Sequence, residues 1–257
     1  MSLNRGSQPP SADVSVPASV ANLGGGFDTL AVAVQLYLRL RIVDVRDDGN
    51  ATLTVVKSTP AVRAGNAVER AYNAVAQWTG VKAPSVFVEA ESDIPMASGL
   101  GSSAAAAVAG LRTFERVTRP LPDGVLLAVA ASIEGHADNA AAAIHGGLTS
   151  VVEREDEEPV ALQWHWPEAL RFVVATPSGG LSTTKARAAL PDVLPREDAV
   201  FNLQRVLAIF QGKLRFTARA TGERGVEHRS RVARDHFHGI IRPPREYGGG
   251  DVLEHPE

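Results

Sequence analysis

The hydrophobic pattern changes period several times along the chain, and each change marks an element. "DVSVPAS" (residues 13–19) alternates apolar and polar side chains before "ANLGGGFDTL" breaks the pattern with consecutive glycines. Alternation returns in the second half of "AVAVQLYLRLRIVDV" (31–45), which puts Leu36, Leu38, Leu40 and Ile42 on one face. A period of two predicts strands. "ATLTVV", "SVFVEAES", "LTSVVE" and "LRFVVATP" read as further strands, the first of them after the turn Asp47-Asp48-Gly49-Asn50. A helical period predicts an amphipathic helix over 66–79, opened by Asn66 and stopped by Gly80, a helix over 123–135, a short one in "LSTTKARAALP" capped by Ser182 or Thr183, and an amphipathic one in "REDAVFNLQRVLAIF". "EREDEEP" (153–159) is expected to be a solvated hairpin tip between "LTSVV" and "VALQW". Strands and helices mix without a strict βαβ rhythm, so the expected class is α+β.

One junction stands out. In "DIPMASGLGSSAAAAVAGLRTF" (93–114), Pro95, Gly99 and Gly101 disfavour regular structure, whereas the alanines that follow favour helix. Ala104, Val108, Leu111 and Phe114 recur at helical spacing, with Ser102 or Ser103 expected near the N-cap and Pro120 closing the segment. The free N–H groups of such a first turn and the positive end of the helix form an anion site, which glycines let a phosphate approach. The stretch is neither a P-loop, which ends in Gly-Lys-Ser/Thr, nor the dinucleotide fingerprint Gly-x-Gly-x-x-Gly. Alone it fits a capped helix after a tight turn equally well.

Bulk properties narrow the classes. The chain has 257 residues, enough for one large or two modest domains, with 44% hydrophobic and 21% charged residues. A net charge of −3 gives no general pull toward nucleic acid, and no apolar run reaches membrane-spanning length. Cysteine is absent, which excludes disulfides and thiolate metal sites and fits a cytoplasmic location. "MSLNRGSQPPSAD" lacks an apolar signal core, and residues 1–12 read as a disordered leader. After about Gly212 the chain turns basic-leaning and loses its aliphatic period; 213–257 reads as a weakly ordered tail whose arginines, broken up by acids, form no nucleic-acid stripe.

Three segments belong together: "VPASVANLGGGFDTLAVAV" (16–34), "DIPMASGLGSSAAAAVAG" (93–110) and "EGHADNAAAAIHGGLTS" (134–150). In order and content they resemble the GHMP small-molecule kinases. With "LSTTKAR…LP" they look most like the homoserine kinase family within that superfamily. The likeness covers roughly residues 13–212. It implies an N-terminal domain like the second domain of ribosomal protein S5 (13–165) and the start of a ferredoxin-like C-terminal domain (166–212), left incomplete here. It implies transfer of the γ-phosphoryl of ATP to the side-chain hydroxyl of L-homoserine, in threonine biosynthesis. Pro95, Met96, Ala97, Ser98, Gly99, Leu100, Gly101, Ser102, Ser103, Ala104 and Ala105 would wrap the ATP phosphates. Ser103 (or Ser102) and Glu134 would hold Mg²⁺. Asn22, Asp28, His136, Asn139, Thr183 and Arg187 would bind homoserine, with Arg187 on its carboxylate and Asp28 on its ammonium. Asp138 and Asn139 would be the catalytic pair, with Asp138 the candidate general base; without such a base Asp138 would be structural. "DHFHGIIR" (235–242) faintly resembles the family's "DRLHxPYR" and would make Arg242 a second carboxylate binder.

One family element is not found. The third glycine motif, resembling "SGxGPT", has no counterpart, since "YGGGDVL" (247–253) lacks both its Ser and its Pro-Thr ending. A truncated or frame-shifted reading frame would give such a tail. Three readings therefore stand: a homoserine kinase, a relative that binds nucleotide or homoserine with little turnover, and a GHMP kinase for another alcohol such as mevalonate or a sugar. The expected partner is a small molecule rather than nucleic acid or membrane, and a homodimer is left open.

Overall fold

The computed structural model describes residues 13–154, 157–164, 166, 187–188, 190–191 and 193–219. "LRFVVATP", most of "LSTTKAR", and the segments 1–12 and 220–257 lie outside them. The chain divides into two compact units, one of residues 1–23 with 27–190, the other of 24–26 with 191–257.

The first unit is α+β. Six strands are described in it: β1 (Val14–Leu23), β2 (Gly26–Arg46), β3 (Leu53–Thr59), β4 (Ser85–Ser92), β5 (Leu148–Arg154) and β6 (Glu157–Trp164). They form one mixed sheet in the order β3-β4-β2-β5-β6, with β1 also paired to β2. β3 runs parallel to β4, whereas β2–β4, β2–β5 and β5–β6 are antiparallel. β2 is long enough to serve two partners. Its start (Leu30–Val32) pairs with β5 and its end (Leu38–Arg46) with β4. The glycine-rich break is thus a two-residue turn at 24–25 rather than the end of regular structure.

Four helices cover the sheet: α1 (Ala67–Thr79), α2 (Ser102–Val117), α3 (Asp123–Glu134) and α4 (Asp138–His145). α1 begins where expected, because Asn66 Oδ1 accepts from the Val68 and Glu69 amides at 3.0 and 3.2 Å. Gly80 ends it in the left-handed conformation. α4 was not anticipated: "DNAAAAIH" is too short to show a helical period, and four of its alanines are buried all round. The second unit contributes α5 (Arg196–Arg219), which continues past Gly212, where the sequence pattern had faded. Among the described residues no helix is long and apolar enough to cross a membrane.

α2 lies at the centre. It packs against α1, α3, α4 and β1. Its side chains are small because its neighbours are close. A Cβ built on Gly110 would lie 2.2 Å from the Val68 carbonyl oxygen and 3.1 Å from the Tyr72 nitrogen, both α1 backbone atoms. One turn on, Phe114 meets Tyr72 edge-to-face with ring centroids 5.6 Å apart, and the Tyr72 hydroxyl donates to the Pro84 carbonyl at 2.8 Å. Gly110→Ala therefore forces α1 and α2 apart. Overpacking of about 1–3 kcal/mol exceeds the roughly 1 kcal/mol of helix propensity gained. The urea midpoint of the variant is expected to fall, and a rise would contradict this packing.

Candidate active site

The loop from Pro95 to Gly101 leaves β4 and feeds α2. Its backbone is pinned from below by Ile94 and Leu100, which are buried, while Pro95, Met96, Ala97 and Gly99 stand exposed. Ser98 Oγ tightens the turn by donating to the Pro95 carbonyl at 2.7 Å. The N-cap is Gly101, with φ of 65°, and no side chain caps the helix. Ser102 and Ser103 do stand beside the N-cap, as expected, but neither caps the helix with its side chain. Ser102 and Ser103 are already helical, and the first amide of this region to find a backbone acceptor is that of Ala105, on the Gly101 carbonyl at 2.8 Å. The earlier N–H groups of the turn are thus left for another acceptor.

Gly101 has two reasons to lack a side chain. Its positive φ suits glycine. A Cβ there would also fall 2.3 Å from Ser19 Oγ and 2.9 Å from Asn139 Oδ1. Beyond Gly101, Ser103 Oγ donates to Glu134 Oε1 at 2.7 Å, joining the start of α2 to the end of α3. The sequence paired these two as metal ligands, and the fold brings them together. They offer hard oxygens, as Mg²⁺ requires. Among the described residues no cluster of three or more His, Asp or Glu could hold a metal without other ligands.

A second cluster gathers the residues expected at the acceptor. The Asp28 amide donates to Asn22 Oδ1 at 2.9 Å, and both residues have positive φ, 51° and 59°. Such backbone strain is retained where the surroundings over-determine it. Arg187 reaches Asp28 with both guanidinium nitrogens, at 2.9 and 2.5 Å, and lies 5.3 Å above the Phe27 ring. The pairing with Asp28 raises the Arg187 pKa further. His136 Nδ1 is 2.8 Å from Asp138 Oδ1, which also accepts from the Asn139 amide at 2.7 Å. Asp138 is buried, and its Oδ2 has no hydrogen-bond partner among the described residues. Asn139 Oδ1 accepts from Ser19 Oγ at 2.8 Å. Thr183 and Arg242 lie outside the described residues.

Sequence reasoning missed Ser19 and Phe27. In β1 the alternation makes Val14, Val16 and Ala18 the buried face, which assigns Ser19 to the other side. Ser19 is buried all the same, because Gly101 and Asn139 cover that side.

Relatives now give this geometry a context. Residues 66–147 match the family model described as the GHMP kinases N terminal domain. The homoserine kinase of Deinococcus radiodurans is 38% identical over 248 residues, 94% of this chain and 76% of that one. The chain belongs to the homoserine kinase family. The Thermus thermophilus homoserine kinase is likewise 38% identical, over 74% of this chain and 63% of its own length. Among solved structures, homoserine kinase from Cytophaga hutchinsonii matches with a TM-score of 0.59 at 25% identity, covering 78% of this chain and 66% of that one. Ser103, Glu134, His136, Asp138 and Asn139 all fall within or beside family-matched sequence.

The His136–Asp138 pair predicts a pH effect. The hydrogen bond to Asp138 raises the His136 pKa above 6.5, the Asp138 and Asp28 charges add to it, and burial and Arg187 oppose. A raised histidine pKa adds stability fully below the unfolded value and loses it as pH rises through the folded one. Asp138→Asn should return the His136 NMR titration midpoint to about 6.5 or lower and flatten the fall of Tm above that pH. An unchanged midpoint would show that this contact does not govern His136.

Proposed function

We infer that this chain is an ATP-dependent homoserine kinase, forming O-phospho-L-homoserine for threonine biosynthesis in the cytoplasm. The observation that supports it most is that the glycine loop and the acceptor cluster meet: Gly101, at the head of α2, is in contact with Asn139, next to Asp138 and His136. The two halves of a phosphoryl-transfer site thereby lie side by side. The family's two-domain arrangement belongs to the same proposal, with 13–165 as the S5-like part and 166–212 beginning a ferredoxin-like one.

Phosphoryl transfer calls mainly for positioning and charge neutralisation. The open amides of the α2 start and the loop backbone hold the triphosphate of ATP. Ser103 and Glu134 would hold Mg²⁺, which would supply positive charge to offset that of the triphosphate. Asp28 takes the homoserine ammonium and Arg187 its carboxylate, with Asn22 and His136 supplying hydrogen bonds. The side-chain hydroxyl oxygen then forms a bond to the γ-phosphorus as the bond to ADP breaks, and ADP leaves with the electron pair. Asp138 Oδ2, without a hydrogen-bond partner among the described residues, receives the hydroxyl proton directly or through a water.

A coupled ADP-release assay over homoserine, mevalonate and galactose tests this reading. Homoserine-dependent release is expected, and none above an ATP-only blank would overturn it. A homoserine-induced rise in Tm without ADP release would instead mark a binding protein. Arg187→Ala is expected to raise KM for homoserine roughly 10- to 100-fold, from the loss of charge-assisted hydrogen bonds. Ser103→Ala should act on kcat instead. Reversed effects would exchange the two half-sites.

A further inference from the structure

Besides the Gly101–Asn139 contact, the two half-sites are joined by a residue to which nothing above gives a role. Ser19 is fully buried in β1, and two of its bonds join the two half-sites. Its amide donates to the Leu100 carbonyl at 3.1 Å, and its hydroxyl donates to Asn139 Oδ1 at 2.8 Å. Gly101 lies against both partners of the second bond. β1 therefore holds the end of the glycine loop with its backbone and the first turn of α4 with its side chain.

We propose that Ser19 is a positioning residue for phosphoryl transfer, whose buried hydroxyl holds the Asn139 amide with its carbonyl oxygen inward, so that Asn139 meets the reacting groups as a hydrogen-bond donor. The inference rests on the kinase reading of the site. An Asn amide can turn either edge to a neighbour, with donors on one and an acceptor on the other. Ser19 selects between them. Its O–H is buried, and Asn139 Oδ1 is its acceptor among the described residues. A flipped amide would bring N–H groups to the Ser19 oxygen and strand the hydroxyl proton, and an unmet buried donor is costly. In the observed orientation Nδ2 keeps two N–H donors with no bond to the described protein atoms. Donors fit the chemistry: oxygens of the transferring phosphoryl group and of the incoming hydroxyl are acceptors there, and fixed donors stabilise charge on them without reorganisation. Asn139 so held cannot serve as the acceptor of the hydroxyl proton through Oδ1.

Three variants read this in the homoserine-dependent ADP-release assay. Ser19→Ala is expected to lower kcat about tenfold, the order of one neutral hydrogen bond, with both KM values little changed. Ser19→Thr, which keeps a hydroxyl, recovers most of the loss. Asn139→Asp keeps the acceptor for Ser19 but exchanges the donor edge for an oxygen, and loses at least as much kcat. Adding Ser19→Ala to Asn139→Asp costs little more. Unchanged kcat in Ser19→Ala, no recovery with Ser19→Thr, or additive losses would each overturn the proposal. Should Ser19→Ala not fold, Ser19→Cys, a weak donor of similar size, takes its place and is expected to show the same loss.

A second readout needs no turnover. The Asn139 side-chain NH₂ resonances of the unliganded protein, assigned by their absence in Asn139→Asp, should shift in Ser19→Ala; coincident spectra would refute the bond. Wild-type protein that releases no ADP with homoserine yet shows this shift would remove the kinase reading and keep the orientation of Asn139.

Discussion

The first unit is organised by how closely α2 must approach its neighbours. At Gly101 the backbone touches Ser19 and Asn139, and at Gly110 it touches the backbone of α1, with no room for a methyl group at either position. Between them Ala104, Ala105, Ala107 and Ala109 are buried. A helix this slim can sit among α1, α3, α4 and β1 and still present its N-terminal turn to the surface. Larger residues would move the amide-bearing end away from Asp138 and Asn139 at the start of α4.

That geometry divides the electrostatic work. The α2 start offers amides and a hydroxyl, which are neutral. The acceptor cluster carries formal charges: Asp28, Arg187, Asp138 and a histidine whose proton is favoured by its neighbours. Asn139 belongs to both regions, through Gly101 on one side and the Asp138 carboxylate on the other.

Much of this was legible in the residues. Asn66 and Gly80 bound α1 as their chemistry dictates, and "SVFVEAES" coincides with β4. The loop before α2 was identifiable because glycine, proline and alanine have strong and opposite local preferences. Three features were hidden for physical reasons. α4 has two turns and alanine on every side, so no period could reveal it. Ser102 and Ser103 are typical cap residues, yet the loop enters the helix through a left-handed glycine and needs no side-chain cap. Ser19 looked solvent-facing because alternation reports one covered face, and β1 is covered on both at that point. The acceptor residues came from family likeness instead, and spacing alone could not have joined Asp28 to Arg187, 159 residues apart.

If Asp28 and Arg187 receive homoserine as proposed, their pairing bears on selectivity. Without a guest, each charge already has its counter-charge, so the pocket owes nothing to an incoming molecule. A zwitterion exchanges one internal ion pair for two external ones and leaves no charge stranded. An amino alcohol would leave the guanidinium, and a hydroxy acid the carboxylate, to water alone, a modest loss because both side chains are 36% exposed. On the proposed reading, a bias toward zwitterions over half-charged look-alikes would be present in the resting state, before any shape is compared.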